Sequence, residues 1–244
     1  MAGGKGKRMQ NERPKVLMLV KDKPMIKHLL ESVQQSGIFD KPCIFVSYKK
    51  EQVMKELGPA YEYVMHDEQL GTGYAVLSTR EHLEGKSNHI MVLYGDHPFV
   101  SSETIKKLIN KHLKSGAKIT MATVKLPDFG DWRAFFYANF SRIIRNKKGK
   151  ILRDVQAKDA TEEEKKITEV NPCYFCFEAK WLWKNLEKIK NDNSQKEYYL
   201  TDLVKLATQQ DAKIESISID PREGLGANSK EELEILERFS QKNK

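Results

Sequence analysis

The sequence is poor in cysteine, with 3 in 244 residues. It contains no apolar run long enough to cross a membrane and no basic start leading into an apolar stretch of the signal-peptide kind. Cys43, Cys173 and Cys176 cannot all pair internally, and their spacing is not that of a zinc site. Cys173 and Cys176 form a C-x-x-C, but the surrounding "VNPCYFCFE" alternates like a strand, so they read as core thiols of a reducing compartment. A cytoplasmic chain with no membrane partner is expected. Internal repeats, low-complexity segments and long linkers are absent. So are a Ser/His/Asp or Cys/His nucleophile set and the two common phosphate fingerprints, G-x-x-x-x-G-K-[ST] and G-x-G-x-x-G. What is present is 39% hydrophobic and 31% charged residues, the composition of a globular protein long enough for one full core.

A formal net charge of +8 calls for an anionic partner, either a nucleotide or a nucleic acid. Many of the lysines lie in helical or terminal stretches such as "KKLINKHLK" and "SQKNK", where a solvated face explains them. No aromatics are interleaved in the manner of an RNA-binding surface, and a nucleic-acid partner ranks last.

Periodicity alternates strands and helices through the first half. "PMIKHLLESVQQSG" places Met25, Ile26, Leu29, Leu30 and Val33 on one helical face, with Pro24 in the first turn and Gly37 as a stop. "CIFVS" and "YEYVM" read as strands, "KEQVMKELG" as a helix, and a further helix is predicted from about Gly73 to Leu83. "HIMVLYGD" is apolar on both faces and reads as a central parallel strand delivering Asp96 to the sheet's carboxyl edge, where ligands of open α/β sheets bind. The second half is richer in strands, with "AKITMATVKL", "RIIRNKKGKILRDV", "EVNPCYFCFE" and "KIESISID". "AKWLWKNLEKI" and "YYLTDLVKLATQQ" look helical. "SKEELEILERFSQ" closes the chain as an amphipathic helix, with Ser229 as N-cap and Glu232 as its capping-box partner. One mixed α/β domain over 1–244, with a nucleotide half and a second-substrate half, is the economical description.

Three stretches carry the chemistry. In "MAGGKGKRM" the backbone at Gly3, Gly4 and Gly6 can approach a ligand closely and cradle phosphate oxygens, with Arg8 and Lys15 to neutralise their charge. Taken alone, this stretch is better explained as a flexible basic terminus. In "DEQLGTGYA" the Gly71–Thr72–Gly73 break precedes a helix, and the Gln69 amide can both donate and accept, as reading a base edge requires. A plain turn accounts for those glycines equally well. The third, "LYGDHP", offers Asp96; many such residues simply cap turns.

The ordered set "AGGKGKRM", "RPKVL", "KPMIKHLL", "QLGTGYA", "LYGDHP", "KDAT", "EVN", "EYYLTD" and "GANS" runs across nearly the whole chain and is far more specific. It resembles the sugar-1-phosphate nucleotidyltransferases, most nearly the bacterial N-acetylglucosamine-1-phosphate uridylyltransferase domain. The resemblance implies an α/β Rossmann-like nucleotidyltransferase domain with a mixed, mostly parallel sheet and a β-rich sugar-binding half. It implies that Ala2, Gly3 and Gly4 line the nucleotide and that Arg8 and Lys15 hold the triphosphate. Gln69, Gly71 and Thr72 would read uracil, and Asp96 and Asn228 would bind Mg²⁺. Asn171, Tyr199 and Thr201 would contact the sugar phosphate. The implied reaction condenses UTP with a sugar-1-phosphate, N-acetylglucosamine-1-phosphate first among them, to UDP-sugar and pyrophosphate. Such chemistry needs alignment and charge neutralisation rather than a protein nucleophile.

The chain departs from the family pattern in several places. The pattern puts an apolar strand directly before the glycine loop, whereas this sequence starts inside the motif, so a chain lacking its first strand is expected. Gly3 and Lys7 stand where Ala and Thr are usual. On the sugar side, Phe140–Ser141–Arg142 replaces Tyr-Gly-Arg, Gln156 replaces a carboxylate, and Pro172–Cys173 replaces Thr-Gly. An altered sugar follows as an open alternative, as do another nucleoside triphosphate, a phosphorylated alcohol, and a non-catalytic nucleotide-binding domain. No hexapeptide repeat is present, so no C-terminal acetyltransferase β-helix is expected, and the oligomeric state is open.

Overall fold

The computed structural model describes residues 1–4, 13–39 and 41–241. In chain order its elements are β1 (Leu19–Val20), β2 (Lys23–Pro24), α1 (Met25–Ser36), β3 (Cys43–Val46), α2 (Lys50–Leu57) and β4 (Glu62–Met65). Then come α3 (Thr72–Leu77), α4 (Arg80–Leu83), β5 (His89–Val92), α5 (Ser102–Ser115), β6 (Ile119–Lys125), α6 (Ala134–Asn139), β7 (Ser141–Arg145) and β8 (Ile151–Val155). The remainder is α7 (Glu162–Lys165), β9 (Glu169–Asn171), β10 (Phe175–Glu178), α8 (Ala179–Leu186), α9 (Asp202–Gln209), β11 (Ile214–Ser218) and α10 (Lys230–Gln241). The chain divides into two compact units.

The first unit comprises Met1–Gln69, Tyr94–Lys106 and Arg222–Lys244. Lys21 and Asp22 both take positive φ (48° and 59°) and close the antiparallel β1–β2 hairpin. Helix α1 follows at once, between Pro24 at φ −52° and Gly37 at φ 63°, and buries Met25, Ile26, Leu29 and Val33. The parallel strands β3 and β4 are joined through α2. Ala2, Val16, Leu17, Ile26, Ile44, Val46 and Val53 make the core. Met1 and Ala2 are held on both sides: the Met1 carbonyl accepts from Gly95 N–H (2.9 Å), and Ala2 N–H donates to the Phe45 carbonyl (2.8 Å). The start of α10 departs slightly from the predicted box. Glu232 N–H donates to Ser229 Oγ (3.3 Å), but the Glu232 carboxylate accepts from Asn228 N–H (2.6 Å), one residue upstream of the cap.

The second unit comprises Leu70–Leu93 and Lys107–Pro221. Its sheet runs β5-β10-β6-β9-β7-β8, with β11 parallel to β6. Here two expectations are corrected. Strand β5 is not a central parallel strand: its pairing among the described residues is antiparallel, to β10 (Val92↔Phe175). Among the described residues the sheets are also not mostly parallel, since antiparallel pairings outnumber the two parallel ones, β3–β4 and β6–β11. Part of the reason lies in "EVNPCYFCFE". Cys173 takes φ 66° after Pro172, so one predicted strand becomes two, β9 bonding to β6 and β7, and β10 to β5 and β6. The single helix predicted from Gly73 to Leu83 is likewise two. Ser78 Oγ donates to the Tyr74 carbonyl and Thr79 Oγ1 to that of Val76, competing with the helical ladder where it breaks.

Candidate active site

Within the first unit, the expected metal ligands and the expected phosphate lysine lie together. Lys15 Nζ donates to Asp96 Oδ2 at 2.6 Å and to Asn228 Oδ1 at 2.8 Å. Asp96 is buried and Lys15 is largely covered, with side-chain exposures of 13% for Lys15 and 9% for Asp96. Residues separated by 81 and 213 positions in the chain thus meet at one ammonium. Burial alone would raise the Asp96 carboxyl. The Lys15 charge and its hydrogen bond, with His97 beside it, outweigh that and hold it down at about 2. His97 is itself buried, which pushes its imidazole below the usual range.

The glycine turn borders the same cluster. A side chain at Gly3 would place its Cβ 2.7 Å from the Phe45 ring, so with Phe45 in this position the turn packs closer than a β-carbon allows. The Gly4 α-carbon faces the end of Lys15, where a Cβ would lie 3.6 Å from Nζ. Gln69 is exposed, and its Nε2 donates to the Gly3 carbonyl at 2.9 Å. That contact ties the proposed base reader to the turn and leaves Oε1 as an acceptor. A groove of about 360 Å³, lined by Ser47, Tyr48, Lys49, Lys50, Glu51 and Asp67, also reaches Gln69. Gly6 and Arg8 lie outside the described residues.

Gly71 and Thr72 belong to the second unit and pack on the segment that carries Tyr199 and Thr201. Gly71 has φ 111°, and a Cβ there would meet the Tyr198 carbonyl at 2.6 Å. Gly73 N–H donates to that carbonyl (2.7 Å), Tyr198 N–H to the Leu70 carbonyl (2.7 Å), and Leu200 N–H to Thr72 Oγ1 (3.0 Å). Tyr199 is buried, and its hydroxyl accepts from Gln195 Nε2 (2.9 Å).

Strand register then assembles a polar row. Ser141 on β7 stands opposite Asn171 on β9. The pairing of Arg142 with Val155 puts Ser141 next to Gln156, just past the end of β8. Gln156 Nε2 donates to Thr201 Oγ1 at 3.0 Å. Three sugar-side positions and two of the departures from the family pattern therefore cluster within one unit. Three contributors escaped the sequence reading. His97 follows Asp96 directly. Glu223 caps α5, accepting from Ser101 N–H and Oγ (2.9 Å each) and from Thr104 Oγ1 (3.0 Å). Asp154 lies buried beneath Asn171. The first two carried no spacing signal. Asp154 is the lone acid of "KILRDV", and no alternation in that stretch marks it as buried.

The chain belongs to the MobA-like NTP transferase domain family, whose pattern matches residues 1–204. It is 38% identical over 241 residues to the bifunctional protein GlmU of Clostridium novyi, covering 98% of this chain and 51% of that protein. To the bifunctional protein GlmU of Desulfotalea psychrophila it is 35% identical over 240 residues, covering 97% of this chain and 68% of that one. The chain spans about half the length of most of the curated relatives it matches. Among solved structures, a UDP-glucose pyrophosphorylase complexed with UDP-glucose superimposes with a TM-score of 0.75 at 15% identity, covering 100% of this chain and 97% of that one. A 4-diphosphocytidyl-2C-methyl-D-erythritol synthase from Anaerococcus prevotii gives a TM-score of 0.65 at 16% identity, covering 98% and 95%. The fold is thus the mixed α/β, Rossmann-like fold of nucleotidyltransferases.

Proposed function

We propose that the protein transfers a uridylyl group from UTP to a sugar-1-phosphate, with N-acetylglucosamine-1-phosphate the first sugar to test, and releases pyrophosphate. The observation that carries this reading is the largely covered Lys15 ammonium held between Asp96 Oδ2 and Asn228 Oδ1 beside the glycine turn. Those two oxygens already hold a cation, and an all-oxygen donor pair suits Mg²⁺, which takes few protein ligands and completes its shell with water and substrate phosphates.

When bound, the ion would neutralise charge on the phosphates and lower the barrier to displacement at the α-phosphorus. The chain's residues do the rest. Asp96 and Asn228 would hold the ion, and Lys15, which now donates to both, would be left to pair with the triphosphate, so that neither Asp96 nor Lys15 goes without a partner. Backbone groups at Ala2, Gly3 and Gly4 bring the nucleotide close, and Gln69 presents its free oxygen to an imide N–H such as that of uracil. Asn171, Tyr199 and Thr201 orient the attacking phosphate, so that reaction is a matter of alignment.

Pyrophosphate release should be measured for each of the four common nucleoside triphosphates against a panel of sugar-1-phosphates. Turnover with UTP is expected to dominate. Turnover with CTP or GTP but none with UTP would overturn the uridylyl assignment, and none with any pair would favour a nucleotide-binding domain without catalysis.

A further inference from the structure

One carboxyl on the β8–β7–β9 face has no part in the roles assigned so far. Asp154 precedes Gln156 by two residues on the same side of the strand and is 6% exposed. Its Oδ2 accepts from Nδ2 of Asn171, which is 1% exposed. Asn171 Oδ1 accepts in turn from the Cys173 backbone N–H at 2.6 Å, in the turn where Cys173 takes positive φ. The Asn171 carboxamide is therefore clamped at both ends. It cannot flip, its oxygen is engaged, and one Nδ2 hydrogen remains to be given. The strand partner Ser141 faces the same carboxyl: Ser141 Oγ and Asp154 Oδ1 are both buried and have no partner in the protein beyond each other.

We infer that Asp154 is a positioning residue of the sugar-phosphate subsite, clamping Asn171 so that its remaining amide hydrogen meets an acceptor oxygen of the bound phosphorylated sugar. This rests on reading the row Gln156–Ser141–Asn171 as that subsite. An amide at residue 171 without a clamp could present either its oxygen or its nitrogen. The carboxyl below removes that choice and makes the contact donor-only. The ligand class follows: a phosphorylated compound with an oxygen acceptor, rather than an N–H donor, at this point.

The test compares Asp154→Leu and Asp154→Asn with wild type by kinetics and by the side-chain amide resonances of ¹⁵N-labelled protein, with Asn171 identified by their loss in Asn171→Asp. Asp154→Leu is expected to raise KM for the sugar phosphate about tenfold or more, with KM for UTP and kcat changed less than about threefold. Asp154→Asn, whose oxygen still accepts from Asn171, should restore most of the affinity. The Asn171 resonances should keep their position in Asp154→Asn and shift in Asp154→Leu. Unchanged resonances and unchanged sugar-phosphate KM in Asp154→Leu would overturn the proposal. If Asp154→Leu fails to fold, the swapped pair Asp154→Asn/Asn171→Asp keeps a hydrogen bond but reverses it, and must show the same loss because residue 171 no longer donates. Wild type that turns over no sugar phosphate would overturn the functional reading and the ligand assignment with it, while the resonances separately decide the clamp.

Discussion

Two buried aspartates respond to the protein in opposite directions because different groups face them. Asp96 meets the Lys15 ammonium and is held at about 2, whereas Asp154 meets only neutral donors and Asp202, so burial raises it to about 7. Between its unfolded value near 3.8 and about 7, native Asp154 keeps a proton that the unfolded chain has lost. Its contribution to stability is therefore full below that window and is lost as pH rises through it, by an amount on the order of 4 kcal/mol. Urea midpoints of wild type and Asp154→Asn at pH 5 and pH 8 should show wild type losing ground to the variant at the higher pH. Equal changes in both proteins would contradict this. Lys15 gives a second prediction. With its ammonium gone in Lys15→Met, Asp96 and Asn228 are open, so Mn²⁺ should bind more tightly without nucleotide than it does to wild type, by about tenfold or more, since the competing cation has been removed. Electron paramagnetic resonance titration measures this, and Asp96→Asn in the same background should abolish it. Weaker Mn²⁺ binding to Lys15→Met would rule out the exchange. At this scale Lys15, Asp96 and Asn228 were legible only through the ordered motifs, because nothing local in "GANS" says what it meets 213 residues away.

At the scale of elements, local chemistry was legible where it is self-contained. Pro24, with its ring-fixed φ, and Gly37, free to take a left-handed φ, bracket α1, and the N-cap of α10 is Ser229. Thr161 and Glu164 form a full capping box at α7, a signal present in "KDATEEE". The helix broken at Ser78–Thr79 and the divided strand at Pro172–Cys173 were not legible, since both depend on hydrogen bonds or pairings that no apolar period encodes. The antiparallel setting of β5 is of the same kind: its apolar run is equally consistent with either direction. The Gly71 turn tests how firmly one such junction is held. Gly71→Ala places a β-carbon at φ 111° against the Tyr198 carbonyl, and a loss of at least ~1–3 kcal/mol is expected from backbone strain alone. A thermal midpoint unchanged within error would contradict that geometry. Glu223→Ala removes the acceptor of three hydrogen bonds at the start of α5, and should cost ~1–3 kcal/mol by leaving donors there unmatched.

Over the whole molecule, the first unit is assembled from three separate stretches of the chain. Composition could state the charge but not where it falls. Much of the positive charge is matched in ion pairs that add nothing to the net +8: Lys23 with Glu31, Lys27 with Glu56, Lys150 with Asp211, Arg153 with Glu164, and Lys165 and Lys166 with Glu162 and Glu163. Exposed pairs of this kind add little stability, but each cancels the field that a phosphate chain would feel. A protein built to hold nucleic acid gathers its cations along one face instead. Fluorescence anisotropy with labelled single-stranded and duplex DNA should therefore show only non-specific affinity at physiological salt, about 10⁻⁴–10⁻⁶ M or weaker. A large excess of either DNA should leave UTP turnover unchanged. Nanomolar binding, or competition with UTP, would mean that the charge serves a polymer. Absence of both would leave it serving a single triphosphate, for which the largely covered ammonium of Lys15, rather than the sum over the surface, is the group that matters.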